Sequence, residues 1–273
     1  MVATYNRVLI TGAGGALGKV LRDGLKGAYP ILRLSHRRDI GPAGPGEEIN
    51  VASLEKLDEV DAAMEGVDAV VHLGGKAVEG EWEEILQSNI IGAYNVLEAA
   101  RRHKVKRVVF ASTHHIVGYY RRDTVVGVDA PPRPDSRYAV SKVFGEALGR
   151  MYADKYGMSV VCQRIGVSRE TVPHVRGLWT WQSHPDYVHM TRRCLDAPDI
   201  HFLVVYGVSA NSRPLWDNPT AKVIGYEPED DAEDHIDQVL AKQKFKDEPE
   251  IERLFHGGWF CGMEFAGDPD KIE

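Results

Sequence analysis

Short apolar runs recur along the chain: RVLIT from Arg7, PILRLS from Pro30, EEINV from Glu47, DAVVHLGG from Asp68, RVVFAS from Arg107, MSVVCQRIG from Met158 and HFLVVYG around Phe202. Runs of this length, rich in Val and Ile, suit strands covered on both faces. Between them, Leu54 to Met64, Asn89 to Ala100, and the stretch from Tyr138 through FGEALGRMYADKYG read as helices. Such alternation predicts an α/β fold, a Rossmann-type doubly wound parallel sheet. Past Gly166 the alternation weakens. The pattern therefore reads as one globular unit over residues 1–273, with a dinucleotide-binding core over 5–166. A segment over 167–273 returns one strand near 202–207 and mainly covers a substrate.

The first strand runs directly into GAGGALG, where Gly12, Gly15 and Gly18 open a helix. Glycines so placed permit a tight turn, let the backbone approach a pyrophosphate, and let the helix pack closely on the sheet. The anion would sit on unpaired backbone donors at the positive end of that helix. A second motif, YAVSK, places Tyr138 and Lys142 four residues apart on one helical face. An ammonium close to a phenol favours phenolate, so Lys142 is expected to lower the pKa of Tyr138 and make it a base for a carbinol proton.

Composition narrows the partners. The chain has 43% hydrophobic residues and a formal charge of -7, with a sequence pI of about 5.9. Nucleic acid and anionic membranes reward clustered Lys and Arg, so neither is expected as a partner. No apolar run approaches about eighteen residues and no leader precedes the first strand, so cytoplasm is the expected location. Cys162, Cys194 and Cys261 lack metal-type spacing, their odd number suits a reducing compartment, and no metal site is expected. Assembly into a homo-oligomer is compatible with all of this.

In their order and spacing, TGAGGALG, HLGG (His72 to Gly75), Asn89, FAST (Phe110 to Thr113) and YAVSK resemble the extended short-chain dehydrogenase/reductases, the sugar epimerase and dehydratase superfamily. HHIVGYY, RPDSRYAVSK, FGEALGRMYADKYG, Arg164 to Gly166, WTWQSH from Trp179 to His184, and VVYGVSAN from Val204 to Asn211 are similar to the bacterial uronate dehydrogenases. The resemblance covers essentially the whole chain. It implies an oxidoreductase that takes hydride from the anomeric carbon of glucuronate or galacturonate to a nicotinamide cofactor, releasing an aldarolactone. By the same resemblance Tyr138 is the base, Lys142 its electrostatic partner and a ribose ligand, and Thr113 the hydroxyl that orients the substrate oxygen. Gly12, Gly15, Gly18, Asn50, Leu73, Gly74 and Asn89 are implied as further cofactor contacts. Asn89 supports a proton relay or is a helix-packing amide.

Two departures from that family matter. At the end of the second strand, Ser35, His36, Arg37 and Arg38 stand where the uronate dehydrogenases carry an acid, with His36 at the matching position. A guanidinium suits the extra phosphate of NADP, whereas an acid suits the ribose hydroxyls of NAD. NADP is thus favoured over NAD, the alternative being that the arginines are a solvated face and Asp39 makes the ribose contact. In the substrate pocket, His115 and Arg176 match, but Ala77, His114 and Val167 replace serine, asparagine and serine. Arg176 is the expected anion clamp, the alternative being a salt bridge on a lid. His114 and His115 would point different ways on a strand. The substrate is a sugar acid or aldose. A neutral or phosphorylated aldose, or an epimerase or dehydratase reaction, are the competing readings.

Overall fold

The computed structural model describes residues 5–272. Strands β1 (Arg7–Thr11), β2 (Ile31–His36), β3 (Glu47–Val51), β4 (Ala69–His72), β5 (Arg107–Thr113), β6 (Ser159–Ile165) and β9 (Phe202–Gly207) form one parallel sheet in the order β3-β2-β1-β4-β5-β6-β9. The doubly wound parallel sheet read from the apolar pattern is therefore present. Two short strands, β7 (Val167–Ser168) and β8 (Trp181–Gln182), pair apart from it.

Alternation along the strands divides the core. Val8 and Ile10 of β1 join Leu32, Leu34, Val109, Val161 and Val205 under α1 (Ala16–Gly24) and α7 (His184–Asp196). Leu9 joins Val70, Val108, Phe110, Val160 and Cys162 on the other face, under α2 (Leu57–Ala63), α4 (Gly92–Arg102) and α5 (Arg137–Tyr156). A residue period of two sends neighbours to opposite faces, so both layers are needed to bury one strand. All seven residues of β5 are buried.

Two helices differ from their expected bounds. The turn in which Lys56 N–H donates to Ser53 O at 3.2 Å delays α2 to Leu57, rather than Leu54. The stretch expected from Asn89 begins earlier, at α3 (Trp82–Ile85), and passes through a π-helical turn (Leu86–Ile91) into α4. The wider turn shifts the apolar register, which hides this helix from a 3.6-residue pattern. Helix α5 has clearer ends. Ser136 Oγ accepts from Ala139 N–H at 3.1 Å, and Gly157 closes the helix at φ 69°. A serine cap of this kind contributes about 1 kcal/mol.

After β6 the chain also builds α6 (Gly177–Thr180), α8 (Thr220–Ile224), α9 (Ile236–Lys242), α10 (Glu250–Leu254) and α11 (Trp259–Gly262). It then returns to the loop that follows β5. Arg121 bridges to Phe255, and Gly257 N–H donates to Gly118 O at 2.9 Å. This return carries α11 to the N-terminal turn of α5. Among the described residues no helix is long and apolar enough to cross a membrane.

Candidate functional site

The carboxyl ends of β1 and β4 border the point where strand order reverses, with Thr11 in register with both Ser35 and His72. Open α/β sheets bind ligands at such a crevice. Gly12 lies here at φ +69°, and a Cβ on it would stand 2.8 Å from Gly74 N. One on Gly18 would stand 2.5 Å from Gly12 O. Both positions therefore need glycine, for backbone conformation and close approach respectively. Gly15 caps α1 without any side-chain bond, which leaves first-turn amides available to an anion. A cradle so bare of side chains fits a dinucleotide pyrophosphate. Beneath it, Gly74 N–H donates to Thr11 Oγ1 at 3.2 Å, and Leu54 fills the space where a Gly74 Cβ would be. Leu73 is half-buried beside it. His72 is held near 3 by burial, so its neutral ring pairs with Thr11 Oγ1 at 2.7 Å.

At the end of β2, Ser35 is buried and its hydroxyl donates to Asn50 Oδ1 at 3.2 Å. The half-buried ring of His36 lies against Gly14, where a Cβ would come within 2.9 Å of it. Burial, followed by Arg37 and Arg38, holds its pKa below the usual range. Arg37 and Arg38 are exposed and form no ion pair among the described residues. Asp39 is turned into its own loop, accepting from Gly41 N–H at 2.9 Å.

Thr113 ends β5, while Tyr138 and Lys142 lie in the first turns of α5; all three are buried. The charge relation differs from the sequence expectation. Burial pushes the Tyr138 phenol up to about 12, and a hydrogen bond with Thr113 opposes that shift. Lys142 is itself drawn down to about 8 by burial. Its Nζ donates to Ala111 O at 2.7 Å and sits 5.8 Å from the centroid of the Tyr138 ring, over the face rather than at the hydroxyl. Desolvation is therefore the dominant influence on the phenol. Asn89 spends its amide inside the chain: Oδ1 accepts from Lys76 N–H at 2.7 Å, and Nδ2 donates to Lys76 O and Ser141 Oγ, both at 3.0 Å. Glu79, which drew no notice in the sequence, accepts from Tyr138 N–H at 2.9 Å and pairs with Arg137 at 3.2 Å, tying the loop after β4 to the start of α5.

The five positions expected to meet substrate are unequal. Ala77 is exposed in that same loop, and Val167 is half-buried in β7 opposite Trp181. His114 and His115 lie on a 3-10 turn (His114–Val117), not a strand, so their rings lie 4.1 Å apart, tilted by 37°, rather than diverging. His114 is fully engaged, with Nδ1 on Ile165 O at 2.9 Å and Nε2 accepting from Arg176 Nη1 at 3.2 Å. Arg176 is 7% exposed and also donates to His256 O at 3.0 Å. No carboxylate lies within ion-pair distance of it among the described residues, so the lid salt bridge is not formed. Burial, followed by Arg122, lowers its pKa to about 10. His115 Nδ1 meets Asp135 Oδ2 at 2.6 Å. Phe260 of α11 completes the wall, 3.9 Å from the His115 ring and 6.2 Å from Tyr138. Neither Asp135 nor Phe260 carries a local sequence signal, since only the return of the C-terminal segment places Phe260 beside Tyr138.

The model of a family described as the NAD dependent epimerase/dehydratase family matches residues 8–167. A uronate dehydrogenase of Pseudomonas syringae pv. tomato is 42% identical over 97% of this chain and 96% of its own. The crystal structure of a glucuronic acid dehydrogenase from Chromohalobacter salexigens superposes with a TM-score of 0.92 at 38% identity, covering 98% of this chain and 100% of that one. A uronate dehydrogenase variant from Agrobacterium tumefaciens, complexed with NAD, gives a TM-score of 0.91 at 42% identity over 94% of this chain and 97% of its own.

Proposed function

The chain belongs to the NAD dependent epimerase/dehydratase family as a nicotinamide-dependent dehydrogenase of the short-chain type, and from that premise we propose that it oxidises the anomeric C1 hydroxyl of a hexuronate, glucuronate or galacturonate, to a lactone. One observation carries the substrate reading. Arg176 is a buried guanidinium with no carboxylate within ion-pair distance among the described residues, joined through His114 and His115 to the wall that Tyr138 shares. A buried charge without a counter-charge is costly, and a substrate carboxylate would supply one.

In this reading Thr113 and Tyr138 hold the C1 hydroxyl, and Tyr138 takes its proton as phenolate, a form that the positive charges of Lys142 and of an oxidised nicotinamide would favour against the burial that raises its pKa. Bound nicotinamide supplies the hydride acceptor. Lys142 keeps a positive charge over the phenol ring and would supply a ribose contact, while the glycines of the first turn would admit the pyrophosphate. Phe260 and the His115 ring exclude water from the reacting carbon.

The reading is tested by following reduced-nicotinamide absorbance over a panel of glucuronate, galacturonate, glucose, arabinose and glucose 6-phosphate with each cofactor. Uronates are expected to exceed the corresponding neutral sugars about tenfold or more in kcat/KM. A second reading, a neutral aldose, draws on Ala77, Val167 and the fully bonded His114, which offer no free polar atom to a sugar. It prevails if the neutral sugars lead.

NADP is the proposed preference. Arg37 and Arg38, exposed and without an ion pair among the described residues, support it, and one oxygen of the Asp39 carboxylate is turned to Gly41 N–H. Replacing His36 with Asp together with Arg37 with Ser is expected to shift preference toward NAD by about ten- to a hundredfold, the value of one charge-assisted bond to phosphate. The ratio of kcat/KM for the two cofactors, before and after, measures this. A wild-type enzyme that prefers NAD would remove the basis for the change.

A further inference from the structure

We propose that Asp135 is a positioning residue for the sugar site: its carboxylate holds His115 in the Nδ1–H form, so that Nε2 accepts a hydrogen bond from a sugar hydroxyl one or two carbons from C1. This rests on the reading above, that a sugar lies beside Tyr138, and it assigns that sugar's hydroxyl and carboxylate to different residues.

The geometry supports it from several directions. His115 is pinned on both faces, with the His114 ring at 4.1 Å and the Phe260 ring at 3.9 Å. Its Nδ1 is committed to Asp135 Oδ2 at 2.6 Å. Its Nε2 has no hydrogen-bond partner among the described residues, the side chain keeps 7% of its surface exposed, and the Tyr138 ring stands edge-on with centroids 6.4 Å apart. The fold makes room for the carboxylate in particular. A Cβ on Gly118 or Gly257 would run into Asp135 Oδ2, so both backbones close around that oxygen. The other oxygen accepts from Ser136 Oγ at 2.8 Å. Burial, followed by Arg176, holds His115 well below its usual range, which favours a neutral ring over an imidazolium. A neutral ring with its proton on Nδ1 has only an acceptor left at Nε2. Carboxylates cannot donate to it, but hydroxyls can. Anion recognition then falls to Arg176.

The arrangement also predicts the effect of Asp135→Asn. Ser136 Oγ already accepts Ala139 N–H at 3.1 Å and turns its own proton toward residue 135. The amide oxygen of Asn would keep that bond, placing the NH2 against His115 Nδ1. The ring would move its proton to Nε2 and become a donor where the sugar needs an acceptor. Acid would do the same to the wild type. Burial pushes the Asp135 carboxyl up to about 7. Below that pH Oδ2–H donates to Nδ1, and sugar KM should rise as pH falls through about 7. The other groups facing the pair keep one state there: burial draws Arg176 down only to about 10, pushes Tyr119 and Tyr138 up to about 12 and Cys261 up as well, and holds His114 neutral.

Two measurements decide it. Nitrogen-15 NMR of histidine-labelled protein, with His115 assigned by its loss in His115→Gln, should show a neutral Nδ1–H ring at pH 8. The same ring should be Nε2–H in Asp135→Asn. Kinetically, Asp135→Asn should raise the KM of the oxidised sugar about tenfold, while the KM of the cofactor and the thermal midpoint stay nearly constant. An imidazolium or an Nε2–H ring in the wild type at pH 8 overturns the proposal, and that result does not depend on how Asp135→Asn folds. So does a KM for sugar that Asp135→Asn leaves unchanged, or one that rises no more than that of the cofactor. A wild-type protein that oxidises no sugar sinks the functional reading itself, an outcome the ring measurement does not share.

Discussion

Replacing Tyr138 with Phe is expected to lower kcat by between about a hundredfold and ten-thousandfold, the usual worth of a general base, while cofactor affinity stays within about twofold. The phenol ring is buried with Ile85 and Phe260 in a small apolar cluster, and Phe preserves that packing. What goes is the hydroxyl, with its hydrogen bond to Thr113 and the proposed acceptor of the C1 proton. Pre-steady-state and steady-state rates, with cofactor binding followed by fluorescence, measure it. A Tyr138→Phe enzyme keeping more than about a tenth of the rate would contradict the assigned base. Lys142→Ala should differ in kind, weakening cofactor binding as well, because the ammonium is assigned a ribose contact.

Arg176→Ala is expected to raise the KM for a uronate by about tenfold or more and to affect the matching neutral aldose much less. The comparison between the two sugars is essential, because Arg176 also supports its surroundings. Its guanidinium donates to His256 O, and its stem fills the space where a Gly258 Cβ would stand. Truncation therefore carries a structural cost common to all substrates, which the ratio cancels. Arg176→Lys should recover only part of the uronate preference, since a two-pronged donor becomes a point charge. Equal losses on charged and neutral sugars would mean that Arg176 only braces the C-terminal segment.

The sheet was legible because its strands are short apolar runs that must be covered on both faces, and the first turn because Gly12 and Gly18 serve backbone demands that no other residue meets. Tyr138, Lys142 and Thr113 were legible through a helical spacing and a strand end, and the structure brings them together in buried positions. Their charge relation was not. The sequence shows an ammonium one turn from a phenol, but only burial reveals that the lone pairs and proton of Tyr138 lie where desolvation dominates. The helix at Trp82 escaped because a π-helical turn breaks the period on which recognition depends. Asp135, Phe260 and Glu79 escaped for a different reason. Their roles arise from tertiary contacts, of Asp135 with His115, of Glu79 with Tyr138 and of Phe260 with both rings, and no local pattern marks an acid or an aromatic for such a contact. Adjacent histidines on a 3-10 turn likewise invert the expectation drawn from a strand.

The most direct measurement of the central claim is the fate of the hydrogen on C1. Incubating the protein with glucuronate deuterated at C1 and the preferred nicotinamide cofactor, then weighing the reduced cofactor by mass spectrometry, should show one deuterium carried into each reduced ring and a lactone as the sugar product. Reduction without deuterium, or no reduction of either cofactor by any C1-labelled uronate or aldose, would contradict it.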